Sequence, residues 1–133
     1  MKKVLILTHG KFAEGIADSL RMIAGEQDIT SLCILDDDSP KEVENRLMAY
    51  MDQTQPEDTV IIMTDIPGGS STKSALPLIQ SHENVYVLTG LNLALLLEVA
   101  LSGDDNIAEN INTAIENARA SIMSLNDVMK QNL

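Results

Sequence analysis

The chain has 133 residues, enough for one domain that buries about 68–70% of its unfolded surface, and it sets nine Lys and Arg against twenty Asp and Glu for a net charge of −11. That balance, with a pI near 4.3, excludes nucleic-acid binding driven by the phosphate backbone, which needs the opposite sign. With Phe12, Tyr50 and Tyr86 as the only aromatic residues there is no material for a base-stacking platform or a flavin sandwich, so the expected partner is a protein or a small phosphorylated group.

Short apolar runs alternate with longer segments of helical period, the pattern of βα units and a parallel sheet. Four strands are predicted: Lys3–Thr8, Thr30–Leu35, Thr59–Thr64 and Val85–Thr89. Their hydrophobicity is continuous and not alternating, so helices should cover both faces of the sheet. The fold class is therefore α/β, a single-domain open and mainly parallel sheet over residues 1–133 with its core in about 1–125. The first residues read as a strand and not as a leader peptide, and no apolar run reaches the length of a membrane span, so a soluble, cytoplasmic chain is expected.

After the first strand, Phe12, Ile16, Leu20 and Ile23 fall on one helical stripe that Gly25 should end. Cys33 has no second cysteine to pair with and reads as a buried residue of the second strand. The acidic run Asp36-Asp37-Asp38 that follows suits a solvated loop, or an acidic rim that meets a basic partner. Ser39-Pro40-Lys41-Glu42 is a capping box, in which Ser39 caps, Pro40 suits the first turn and Glu42 reaches back; Val43, Leu47, Tyr50 and Met51 form the buried stripe of that helix. A third helix should begin near Ser70 and run toward Gln80, with a kink or restart at Pro77 and His82 at its end. Leu93–Leu101 is apolar on nearly every face, which predicts burial all round and an oligomer interface. Ile107, Ile111, Ile115, Ala118, Ile122, Leu125 and Met129 share a stripe that predicts one long amphipathic helix from about Asn106 to Lys130.

The chemistry concentrates at two strand ends. Val4-Leu5-Ile6-Leu7 leads into Thr8-His9-Gly10, and Val60-Ile61-Ile62-Met63 leads into Thr64-Asp65-Ile66-Pro67-Gly68-Gly69-Ser70. Open parallel sheets bind ligands beyond the carboxyl ends of their strands, where strand order reverses. A histidine there is a candidate nucleophile if a carboxylate fixes the proton on its other ring nitrogen, and Asp65 is the candidate orienter. Gly68 and Gly69 let the backbone approach an anion, and Ser70 and Ser71 add N–H groups and hydroxyls, which suits phosphate. The loop sequences of nucleotide-binding proteins are missing, and His9 has no second ligand at metal-like spacing, so neither a cofactor nor a metal is expected.

At these residues the chain resembles the enzyme IIA (EIIA) component of the mannose, fructose and sorbose family of the bacterial phosphoenolpyruvate-dependent sugar phosphotransferase system. The resemblance rests on Thr8-His9-Gly10 with Phe12-Ala13-Glu14-Gly15, on Thr64–Ser70, and on Thr89-Gly90-Leu91-Asn92-Leu93. It implies a flavodoxin-like sheet, a homodimer, and a phosphohistidine at His9 that receives phosphate from the carrier protein HPr and passes it to a histidine of enzyme IIB (EIIB) during sugar uptake. It also implies that Asp65 hydrogen-bonds the ring, that Ser70 helps to hold the phosphate, and that the membrane is met only through the IIC and IID components. Two departures stand out: Ser71 occupies a position where the family commonly has Pro, and the helical end of the chain does not match the C-terminal strand that some members exchange between subunits. The alternatives are the phosphoryl-donor subunit of dihydroxyacetone kinase, which tends to carry Ser-His-Ser where this chain has Thr8-His9-Gly10, and a regulatory module that senses phosphorylation.

Overall fold

The computed structural model describes residues 1–131. Its strands are β1 (Lys2–His9), β2 (Ile29–Ile34), β3 (Thr59–Thr64) and β4 (Val85–Leu88); its helices are α1 (Phe12–Ala24), α2 (Pro40–Asp52), α3 (Ser70–Ala75), α4 (Pro77–Ser81), α5 (Leu93–Leu101), α6 (Ile107–Ala120) and α7 (Leu125–Gln131). All strands run parallel in the order β2-β1-β3-β4. This is the flavodoxin-like order, in which the chain winds outward from β1 first to one side and then to the other. The reversal lies between β1 and β3, and it is at the carboxyl ends of such strands that open parallel sheets bind their ligands.

Alternate side chains of each strand feed two separate cores. Val4, Ile6, Ile61, Met63 and Leu88 pack with α1, α5 and α6, whereas Leu5, Leu7, Val60, Ile62 and Val85 pack with α2, α3 and α4. The apolar runs are continuous because both faces are covered, as expected. Cys33 is buried in the first of these cores.

Local signals set several element ends. Ser39 caps α2 by accepting the Glu42 N–H at 3.1 Å with Pro40 in the first turn, although Glu42 contributes only its backbone group and no return bond from its carboxyl is present among the described residues. Pro77 ends α3 and opens α4, which is the restart expected of a residue with no N–H to donate, and His82 is the C-cap of α4. Lys2 reaches under the carboxyl end of α5, where its ammonium donates to the carbonyls of Val99 (2.7 Å) and Ser102 (2.5 Å).

Two expectations are corrected, those for the face of α1 and for the C-terminal helix, and a third, for α5, is met in part. The buried face of α1 is Ala13, Ile16 and Leu20, while Phe12 and Ile23 are exposed. The Thr8 hydroxyl, fully buried at the end of β1, accepts the Ala13 N–H at 2.8 Å and so turns Ala13 toward the sheet and Phe12 outward. Within one chain α5 buries Leu95, Leu96 and Val99 between α1 and α6 and leaves Leu101 exposed, so burial all round is not reached by this chain alone. The expected long C-terminal helix is two: α6 stops at Ser121, whose hydroxyl bonds back to the Ala118 carbonyl at 2.6 Å, and α7 begins after Ser124 and buries no side chain. Ile122, Leu125 and Met129 are therefore exposed instead of completing a stripe.

Candidate functional site

β1 and β3 pair with Leu7 opposite Thr64, so the residue following β3 lies beside the last residues of β1. Asp65 uses this position fully. Its Oδ2 accepts the His9 backbone N–H at 2.9 Å and faces His9 Nδ1 at 2.8 Å, while its Oδ1 accepts the Ile66 N–H at 3.0 Å and the Ser71 hydroxyl at 2.6 Å. Burial alone would push this carboxyl up, but the donors outweigh it, first the Ser71 hydroxyl and then the two His9 groups, and hold its pKa at about 2.

A carboxylate with that pKa is an acceptor only at neutral pH, so His9 Nδ1 must carry the hydrogen of their shared bond. In the neutral ring the lone pair is then left on Nε2. That nitrogen faces the Ser70 hydroxyl at 3.2 Å, and the imidazole is 45% exposed whereas Asp65 is only 13% exposed. The arrangement is thus a ring oriented from behind by a shielded acid, with Nε2 presented on its outer side.

The glycine turn is shaped around that ring. A Cβ on Gly69 would stand 2.6 Å from His9 Cε1 and 3.0 Å from Ile66 Cγ1, so only glycine lets the backbone approach the imidazole so closely. Gly68 has open space where a Cβ would go, so nothing in the packing demands glycine there. At the end of β1, Gly10 adopts φ +57° and donates its N–H to the Ile34 carbonyl at 2.7 Å, a left-handed turn that carries the chain off the sheet toward α1.

His9, Asp65, Gly69 and Ser70 therefore meet at one point, while Ser71 is turned differently from its neighbours. Its side chain is fully buried and its hydroxyl is spent on Asp65, so it presents none to the outer side of the ring. Sequence reasoning also missed the fastening beneath the loop: the Thr72 hydroxyl donates to the Ile66 carbonyl at 2.6 Å and lies 2.8 Å from the Thr64 hydroxyl. Alternating threonines at a strand end and a helix start were a visible signal of such a network. Phe12, Leu35 and Ile66 are exposed apolar residues that follow the carboxyl ends of β1, β2 and β3. Beside them, Asp36 and Asp37 face solvent, but Asp38 closes its own turn onto the Leu35 N–H at 2.8 Å and pairs with Arg46 at 2.5 Å.

Comparison with known proteins identifies the family of the chain. The sequence matches the family described as PTS system fructose IIA component over residues 3–116. It is 28% identical over 127 residues to the mannose-specific EIIAB component of Escherichia coli (strain K12), covering 92% of this chain and 39% of that protein, so the chain spans about two fifths of that relative. It is 27% identical over 110 residues to the sorbose-specific EIIA component of Klebsiella pneumoniae, covering 79% of this chain and 81% of the relative. Among solved structures, the phosphotransferase system component EIIA from Streptococcus agalactiae superposes with a TM-score of 0.87 at 26% identity, covering 96% of this chain and 99% of that one. The mannose/sorbose specific IIA subunit from Enterococcus faecalis gives a TM-score of 0.87 at 25% identity, covering 93% and 95%. With a family match that spans most of its length and solved relatives that share its whole fold, the chain belongs to the EIIA components of the mannose/sorbose type of sugar phosphotransferase system.

Proposed function

We propose that this chain relays a phosphoryl group through His9, accepting it from phospho-HPr and passing it to a histidine of EIIB. The observation that carries the reading is the Nδ1 to Asp65 bond of 2.8 Å, which leaves Nε2 as the exposed nucleophile. The Nε2 lone pair attacks phosphorus in line as the donor's own N–P bond breaks, and the donor nitrogen keeps the released electron pair. The ring gains positive charge as the new N–P bond forms, and the Asp65 carboxylate beside Nδ1–H stabilises it. Ser70, within reach of Nε2, is placed to donate to a phosphoryl oxygen, and the backbone around Gly68 and Gly69 admits the anion. Transfer onward repeats the displacement with His9 as the leaving group. Phe12, Leu35 and Ile66 give a protein partner an apolar surface beside the reacting atom, which suits a donor and an acceptor that must dock and leave in turn. A cytoplasmic homodimer that reaches the membrane only through EIIC and EIID is the setting that fits this role.

The test is intact-mass measurement after incubation with phosphoenolpyruvate, enzyme I and HPr. Wild type should gain a single phosphoryl group that is labile in acid and stable in alkali, and His9→Ala should gain none. A wild-type mass that stays constant under these conditions would sink the relay.

A further inference from the structure

We propose that Ser71 is a positioning residue that acts on the phosphoryl relay through Asp65 and makes no contact with the phosphate itself. This role rests on the relay reading of His9. Four donors meet the Asp65 carboxylate, and they differ in what they can fix. The two on Oδ2 both come from His9, the group to be oriented, and the Ile66 N–H on Oδ1 belongs to the next residue and moves with Asp65 itself. Of the two donors on Oδ1, Ser71 alone comes from another element, α3. Its hydroxyl to carboxylate bond of 2.6 Å is short, as charge-assisted bonds are, and the residue is fully buried.

The final torsion of an aspartate is broad and roughly two-fold, so a carboxylate held on one side only can swing. Anchoring Oδ1 to α3 stops that rotation and keeps Oδ2 in line with Nδ1. α3 holds the same loop a second time through the Thr72 hydroxyl on the Ile66 carbonyl, so the anchor is itself fixed. Without Ser71, Oδ1 retains one donor in a shielded site, the carboxylate takes a proton more readily, and the ring can exchange to the tautomer whose Nε2 is protonated and inert. The lowered pKa of Asp65, for which the Ser71 bond is the first of the lowering causes, agrees with this.

The experiment measures three quantities in wild type, Ser71→Ala, Ser71→Thr, Asp65→Ala and the Asp65→Ala/Ser71→Ala double variant. They are the rate of phosphate uptake from phospho-HPr, the ring nitrogen chemical shifts of His9, and the carboxyl titration of Asp65 where it is present. Ser71→Ala should slow uptake about three- to tenfold, raise the Asp65 midpoint and bring in the protonated-Nε2 tautomer. Ser71→Thr, which keeps the hydroxyl, should restore all three, and its recovery separates lost positioning from lost folding. Ser71→Ala should add nothing to Asp65→Ala, since both remove the same linkage. An equal further loss in the double variant, or a slowed Ser71→Ala whose His9 and Asp65 spectra match wild type, overturns the role in favour of a direct phosphate contact. Unchanged uptake in Ser71→Ala overturns it outright. A wild type that takes up no phosphate overturns the relay itself, an outcome distinct from either.

Discussion

Two aspartates bracket β3, and the comparison between them separates a structural acid from a candidate functional one. Asp58, before the strand, is 8% exposed, and Asp65, after it, has a side chain 13% exposed; both are held below the usual carboxylate range. Asp58 owes its shift first to the N–H of Gln55, three residues back, with the terminal amine of Met1 at 3.4 Å as a second partner. It repeats the closed turn that Asp38 makes with Leu35. Asp65 instead gathers donors from β1, its own loop and α3, and one of them is a ring with a free nitrogen on its far side. A shifted pKa is common to both ends of the strand. What distinguishes the carboxyl end is that the acid's partner can itself react.

Replacing each acid should therefore divide activity from stability. On the proposed relay, Asp65→Ala should cut the rate of phosphate uptake by about a hundredfold or more, because that relay loses both its tautomer control and the charge that would face a phosphorylated ring. Asp58→Ala should leave uptake within about twofold and lower the urea midpoint through the lost turn and terminal contacts. Stopped-flow or quench-flow uptake and urea unfolding of the two variants decide this, and equal kinetic losses would erase the distinction.

The same end of the sheet should be sensitive to a single methyl. Gly69→Ala places a Cβ where the His9 ring now lies, and the ring can turn aside more easily than the backbone can move. Uptake should fall about tenfold or more with little change in melting temperature, since misplacing a reacting atom by an ångström is costly to rate. Gly68→Ala, facing open space, should stay within about twofold. A drop in Tm without a drop in rate for Gly69→Ala would mean that the backbone yields and the ring stays.

Acid titration sharpens the comparison from the side of stability. The folded-state pKa of Asp65, about 2, lies below its ordinary 3.8, so its contribution is present above about pH 4 and is lost as pH falls toward 2. The size should be on the order of 2 kcal/mol for this group. Asp38 and Asp58 are lowered too, so the useful quantity is the difference between wild type and Asp65→Asn across that window. A difference that stays flat from pH 5 to pH 2 would show that Asp65 is not ionised more readily in the folded chain than in the unfolded one.

How much of this was legible in the sequence depends on how local each signal is. The strands, the parallel sheet and the meeting of His9 with Asp65 were readable, because continuous apolar runs mark covered strands and a reversal of strand order brings two strand ends together. Phe12 was misplaced because a helical wheel gives the period of a stripe but not its phase, which the buried Thr8 hydroxyl sets by holding the Ala13 N–H. The break after α6 has a local signal that a stripe cannot show: Ser124-Leu125-Asn126-Asp127 has the pattern of a capping box, while the apolar spacing of Ile122, Leu125 and Met129 runs on through it. The orientation of Ser71 was not legible at all. Ser70 and Ser71 are adjacent and chemically identical, and which of them faces the ring is decided by where α3 starts relative to β3.

The smallest effect expected concerns the apolar residues that follow the strand ends, and it asks whether the carboxyl end is a docking surface or merely an exposed one. Phe12 and Ile66 are 44% and 53% exposed, so changing either to Ser should alter stability by no more than about 0.5 kcal/mol. If a protein donor packs on them, kcat/KM for uptake from phospho-HPr should fall about three- to tenfold, mainly through KM, since docking and not chemistry is weakened. Met22 is the control, because it is 76% exposed on the same helix as Phe12 but near its far end. Met22→Ser should therefore match wild type in both measurements. Equal kinetics for Phe12→Ser and Met22→Ser would place the partner elsewhere, since a general loss of apolar surface touches both variants and contact at the carboxyl end touches only Phe12.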